Sequence, residues 1–145
     1  MLHKGEKMDN NKIEGVLKLN KLVFDKIEFT RLGFKNDEEL EIEIQSNISE
    51  REKSEKREKY EMYKVTLILK GKKNEEYTME ISVSGFFSIV SDSELNNDLK
   101  DKLITKNSVA ILMPYLRSQV SILTAQPDVE CVVLPPFNIN NMSSK

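Results

Sequence analysis

Cys131 and His3 are the side chains best suited to nucleophilic or metal chemistry, and each is the only residue of its type in the chain. A reactive thiolate needs a neighbouring base or cation, and zinc needs three or four closely spaced ligands. Cys131 stands in the apolar run Cys131, Val132, Val133, Leu134, where a small thiol is expected to pack as a buried structural residue. His3 lies in a polar N-terminal segment expected to fray, with no second ligand beside it. Carboxylates are abundant, but Glu39, Glu41 and Glu43 alternate with Leu40, Ile42 and Ile44, which turns them toward water, where nothing lifts a carboxyl pKa toward general-acid duty. The five glycines are scattered singly, so no loop is built to cradle a phosphate. The sequence therefore predicts no catalytic residue, metal ligand or cofactor, and a protein that is not an enzyme.

The elements that these residues sit on are legible from hydrophobic period. Between Val16 and Gly33 the residues Leu17, Leu19, Val23, Ile27 and Phe29 fall on odd numbers, as in a half-buried strand, with Leu22 and Phe24 expected on the opposite face. Glu39 to Ile44 alternates as a second strand with one wet face. Tyr60 to Lys70 reads as a third through Tyr63, Val65, Leu67 and Leu69, and the cluster Gly71, Lys72, Lys73, Asn74 supplies turn chemistry. The fourth strand has the clearest alternation: Tyr77, Met79, Ile81, Val83, Gly85, Phe87 and Ile89 on one side, Thr78, Glu80, Ser82 and Ser84 on the other.

The period changes at Ser91, where Ser91 and Glu94 form a capping box ahead of Leu95, Leu99 and Leu103. Helical spacing resumes after Asn107 and runs to Gln126, and Pro114 either opens or kinks this second helix. Asp128 to Leu134 is expected to be a short extended segment, ended by Pro135 and Pro136. The reading is α+β: a four-stranded antiparallel sheet with helix on one face. Residues 16–142 form the single domain, 1–15 a flexible segment, about 48–59 a solvated mobile charged loop, and 143–145 a tail.

With 39% apolar and 32% charged residues over 145 positions, the chain is large enough for one core. A net charge of −2, without a basic stripe, argues against nucleic acid. Neither a signal-peptide core nor a membrane-length apolar run is present, so a cytoplasmic location and no membrane insertion are expected.

Three local sequences, in order after four strands, resemble the SecB family of protein-export chaperones. Gly85, Phe86, Phe87, Ser88, Ile89 is similar to the family's Gly, aliphatic, Phe, Ser, Ile at the end of strand four, with Phe86 in the aliphatic place. Ile111, Leu112, Met113, Pro114, Tyr115, Leu116, Arg117 resembles Ile-Leu-Phe-Pro-Tyr-Ala-Arg in its long helix. Leu134, Pro135, Pro136, Phe137, Asn138 resembles the Leu-Ala-Pro-Val-Asn found after that helix. The resemblance covers about Leu19 to Met142.

It implies an ATP-independent holdase that grips unfolded polypeptide in apolar grooves, assembled as a homotetramer, a dimer of dimers. Phe34, Leu40, Ile42 and Ile44 become the counterparts of the groove wall, and Met79, Ile81 and Val83 of the tetramer face. Glu80 matches one acidic position by which family members dock on the SecA motor. Lys26 and Thr30 stand at two others, and Asp25 and Glu28 are substitutes expected on different faces. The family's further C-terminal helix has no counterpart in Ile139 to Lys145. The alternative is a dedicated SecB-like chaperone or interaction module for one partner, such as an antitoxin, without docking to the motor.

Overall fold

The computed structural model describes residues 17–50, 60–90, 97–136 and 143–144. Four long strands, β1 (Leu17–Arg31), β2 (Leu40–Glu50), β3 (Tyr60–Lys73) and β4 (Tyr77–Val90), pair antiparallel in the order β1-β4-β3-β2. A two-residue strand, β5 (Ser143–Ser144), adds parallel to β2 at Gln45 and Ser46. Helix α1 (Asn97–Lys102) passes through a π-helical turn (Leu103–Asn107) into α2 (Ser108–Thr124). The expected α+β architecture, an antiparallel sheet with one long helix on one face, is the fold found. The expected frayed N-terminus with His3, residues 51–59 of the charged loop expected at about 48–59, and the capping box at Ser91 and Glu94 lie outside the described residues, while Ile48, Ser49 and Glu50 belong to β2.

Cross-strand rows define the inner face of the sheet. Ile44, Leu69, Ile81 and Ile27 form one row, Ser46, Leu67, Val83 and Phe24 the next, and Ile48, Val65, Gly85 and Leu22 the third. Val65, Leu67, Leu69, Ile81, Val83, Phe87 and Ile89 are fully buried, and α2 closes this core with Val109, Leu112, Leu116 and Val120. Burying side chains of this size contributes about 1.5–3 kcal/mol each, so the β3–β4 centre under the helix is the stable heart of the domain. Gly85 marks a close approach of helix and sheet: a Cβ there would lie 2.8 Å from Leu112 Cδ2 and 2.6 Å from Phe87 Cε2.

Strand β1 departs from simple alternation. Its ladder to β4 skips Asn20 and Asp25, two β-bulges that each insert one unpaired residue and reverse the parity of the residues beyond it. Leu17, Leu19, Leu22, Phe24, Ile27 and Phe29 thereby all oppose inner-face residues of β4, whereas Val23 opposes Ser84 on the outer face. The odd-number pattern puts Leu22 and Phe24 on the wrong side because a period of two holds only for an unbroken ladder.

Three further expectations are corrected. The β3–β4 turn falls at residues 74–76 with Glu75 at φ 62°, not at Gly71, which stays inside the ladder between Ile42 and Met79. There its missing Cβ makes room, since a Cβ would meet Met79 Cγ and Cε at 3.0 Å. The helix is not broken after Asn107, because Asn107 and Ser108 are both right-handed helical and the Ser108 N–H donates to the Leu103 carbonyl. Pro114 sits inside α2 on its exposed side, as does Ala110, whose carbonyl loses its donor and can take water. Finally, 128–134 pairs with no strand. Helix side chains satisfy its backbone instead: Arg117 Nε donates to the Leu134 carbonyl at 3.1 Å, Ser121 Oγ to that of Val132 at 2.8 Å, and the Val132 N–H to Thr124 Oγ1 at 2.8 Å. Cys131 is accordingly exposed, with its thiol 3.8 Å from the Ser121 carbonyl.

Candidate functional site

Helix α2 packs on β4 and β3 and reaches β1, so the inner face of β2 lies along its flank. Leu40 and Ile42 are half-buried there and Ile44 is buried. Side by side on one strand face, they form an apolar strip whose floor is Gly71 and Met79, opposite Ile42 in the ladder. Among the described residues β5 pairs with the strip's strand at Gln45 and Ser46.

Phe34 stands apart from the strip, in the crossover that carries the chain from β1 to β2 past the β3–β4 turn. The crossover is pinned by the N–H groups of Leu32 and Gly33, which donate to the Glu76 carbonyl at 2.8 and 3.2 Å. Phe34 is 78% exposed and Leu32 53%, a large apolar display for a segment of this length. The Phe34 ring rests on the Arg31 guanidinium, 5.1 Å from centroid to Cζ, and Arg31 also donates to the carbonyls of Gly33 and Asp128, each at 3.0 Å. Arg31 thus ties the crossover to the segment after α2. Lys35 bonds Glu75 at 2.9 Å, and that hydrogen bond, with the nearby Asp37 carboxylate, raises the Lys35 pKa. Beneath the crossover Glu76, 2% exposed, lies 3.0 Å from the Lys73 ammonium, close enough for an ion pair although not aligned as a hydrogen bond.

The polar outer face carries Asp25, Glu28 and Glu80. The bulge turns Asp25 onto this face, where Ser82 Oγ at 3.5 Å and Ser84 Oγ both donate to its carboxylate. Asp25, Glu28 and Glu80 therefore share a face, contrary to the expectation that Asp25 and Glu28 would point apart. Lys26 lies among them, 3.3 Å from Glu80 and 3.9 Å from Glu28.

Met79, Ile81 and Val83 are 3%, 0% and 0% exposed within the single chain, so all three are residues of the core. Near the other end of the sheet, Glu61 on the inner face takes hydrogen bonds from Lys100 of α1 and, at 3.1 Å, from the Tyr63 hydroxyl. Burial, then the Glu61 charge, pushes Tyr63 up to about 12. Among the described residues no group of His, Cys, Asp and Glu could hold a metal, and no helix is long and apolar enough to cross a membrane.

The three motifs lie where the fold needs them: Gly85 under Leu112, Leu112 and Leu116 in the core, and Arg117 holding the Leu134 carbonyl. The family described as preprotein translocase subunit SecB matches residues 13–145. This chain belongs to the SecB family. An uncharacterized protein of Methanocaldococcus jannaschii is 28% identical over 130 residues, 87% of this chain and 81% of that one. The Mycobacterium tuberculosis Rv1957 SecB-like chaperone, solved in complex with a ChAD peptide from the Rv1956 HigA1 antitoxin, superposes with a TM-score of 0.60 at 10% identity. The match covers 90% of this chain and 98% of that one. A Streptococcus agalactiae protein of unknown function matches with a TM-score of 0.51 at 14% identity, over 82% and 96%.

For this SecB-family chain, sequence reasoning brings Leu40, Ile42 and Ile44 together correctly as one strand face. It misses Arg31, whose partners are backbone carbonyls that no sequence spacing reveals. It also passes over Tyr115 and Ile122, 45% and 63% exposed. Their seven-residue separation, one heptad, is the signal that they share an outward side of α2.

Proposed function

We propose that this SecB-family protein is an ATP-independent chaperone that holds non-native polypeptide along the inner edge of its sheet. The observation that carries the reading is the half-open strip Leu40–Ile42–Ile44 beside α2, with Phe34 and Leu32 held out from the adjoining crossover. A non-native chain offers apolar side chains and unpaired backbone groups together, and an apolar strip beside a sheet edge accepts both. Binding the unfolded form alone holds back folding by mass action, so no chemical step is required. The antitoxin peptide bound to the M. tuberculosis SecB-like chaperone supports a polypeptide as ligand. The test is light scattering of an unfolded client diluted with and without the protein. Suppression that falls in Phe34→Ala and Ile42→Ser supports the site, and unimpeded aggregation at equimolar chaperone rejects it.

A dimer of dimers in the cytoplasm is the working state we assign. The exposed Tyr115 and Ile122 on α2 supply apolar surface for self-association, and several sites on one assembly would add avidity for a long client. Mass from size exclusion with multi-angle scattering tests this.

A second reading is favoured by Lys26. Resemblance to the family implies that Lys26 occupies a SecA-docking acidic position, and here it neutralises Glu80 and Glu28. The protein then serves a dedicated client, such as an antitoxin, without docking on the motor. Co-migration with SecA on a sizing column would overturn this reading and favour general export.

A further inference from the structure

The outer face of the sheet changes character along its length. At the Arg31 end it mixes signs: Glu28, Glu80 and Glu43 stand among Lys26, Lys70 and Lys72. At the Leu17 end it does not. There Lys18 opposes Ser88, Lys21 opposes Phe86, and Phe86 in turn opposes Lys64, which opposes Ser49 on β2. One row thus runs Lys21, Phe86, Lys64, Ser49 across four strands. Its neighbouring rows add Lys18, Val23, Met62, Thr66 and Asn47, and among the described residues no carboxylate follows until Asp25, which Ser82 and Ser84 already occupy.

Both lysines of the row lie over the Phe86 ring, their ammonium nitrogens 5.9 and 5.7 Å from its centroid. A ring between two cations gains from each, and it also holds the two charges at a fixed spacing. None of the ion pairs among the described residues involves Lys18, Lys21 or Lys64, although carboxylates outnumber basic residues 24 to 22 in the chain. Phe86 is also the position at which the fourth-strand motif departs from its family pattern.

We propose that this end of the outer face docks an acidic segment of a partner polypeptide, laid in extended form across the strands. Its carboxylates pair with Lys18, Lys21 and Lys64, and its intervening apolar side chains pack on Val23 and Met62, on either side of the lysine-covered Phe86 ring. Such complementarity acts on encounter rate and partner choice, and salt weakens it. A nucleic acid fits less well, because the lysines cover the ring faces on which a base would stack, and the carboxylates farther along the same face repel phosphates. The surface lies on the opposite side of the sheet from the Leu40–Ile42 strip, so the proposal does not rest on the client-holding reading.

The test is fluorescence anisotropy of the full-length protein with a short labelled peptide alternating Glu and Val. A matched peptide with Lys for Glu and an oligothymidylate serve as competitors. The expected result is binding that weakens with added salt, is lost by about tenfold or more in Lys21→Glu/Lys64→Glu, and is unchanged in Lys72→Glu at the mixed end. Lys21→Gln/Lys64→Gln gives a smaller loss and guards against misfolding of the charge-reversed protein, which circular dichroism checks directly. Absence of binding at low salt, equal binding by the charge-reversed protein, equal binding of the Lys peptide, or displacement by oligothymidylate below the peptide's own concentration would each overturn the proposal. Client aggregation measured on the same variants separates the two surfaces: Lys21→Glu/Lys64→Glu keeps holdase activity, and Phe34→Ala keeps acidic-peptide binding.

Discussion

The guanidinium of Arg31 lies 5.1 Å from the ring centroid of Phe34 while donating to the carbonyls of Gly33 and Asp128. One side chain therefore joins the last residue of β1, the apolar crossover and the segment beyond α2. The most exposed apolar residue of the crossover has a defined position because a cation is fixed under it, and that cation is fixed by two backbone acceptors.

Arg31→Ala removes two hydrogen bonds, each contributing about 0.5–1.5 kcal/mol, and a cation–π contact of about 0.5–1 kcal/mol. The expected outcome is a loss of about 1.5–4 kcal/mol in urea unfolding, with faster amide exchange at Leu32 and Gly33 than at core positions of β3. Phe34→Ala, by contrast, loses only the cation–π contact and should cost no more than about 1 kcal/mol, while weakening client holding. Equal stability losses in the two variants would refute this division of roles.

How far the fold is legible differs from strand to strand. In β4 every second residue faces the core without interruption, so the period alone places Tyr77 to Ile89. In β1 the bulges at Asn20 and Asp25 have no sequence signature, and each moves the apolar residues after it to the other side. The turn is misplaced when Gly71 is read for its backbone freedom, whereas its small size beside Met79 and Leu40 is what the structure uses. Residues 128–134 have a strand's composition but meet the sides of Arg117, Ser121 and Thr124 instead of a free sheet edge, which leaves Cys131 outside. Of the candidate groove, the β2 strip emerges from alternation. Its joining to the crossover through Arg31 does not.

Gly85→Ala probes a close approach of helix and sheet. The added methyl meets Leu112 Cδ2 at 2.8 Å and Phe87 Cε2 at 2.6 Å, both fully buried and unable to yield freely. Overpacking of this kind costs about 1–3 kcal/mol, and thermal unfolding should show a lowered midpoint. Leu112→Ala relieves the Leu112 part of the clash but leaves its own cavity, so the double variant should lose less than the sum of the single ones.

Ile81→Asp and Ile122→Asp separate core from assembly. Ile81 is fully buried between Leu69 and Ile27 in the ladder, so a carboxylate there has no water and no cation, and a destabilisation of more than about 4 kcal/mol is expected. Loss of the folded state by circular dichroism, not simply a smaller particle, is the anticipated result. Ile122 is 63% exposed on α2, and Ile122→Asp should leave the unfolding midpoint nearly unchanged while lowering the mass in solution. A fully folded Ile81→Asp protein would show that the strand face tolerates charge and that its core assignment is wrong.

The alkaline limit of stability is set in part by Tyr63. Burial, then the Glu61 charge and the hydrogen bond to it, raise its pKa from 10 to about 12. The neutral phenol is the form favoured in the folded chain, so this stabilisation is complete below pH 10 and is lost as pH climbs from 10 toward about 12. Tyr77 shifts in the same direction through burial and the nearby Glu76. A difference titration of phenolate absorbance between the parent and Tyr63→Phe should therefore give a curve with its midpoint near pH 12, and the fall in urea stability between pH 10 and 12 should be shallower in Tyr63→Phe. A midpoint at pH 10 would mean that the hydroxyl is in free contact with water and that its 3.1 Å hydrogen bond to Glu61 does not persist in solution.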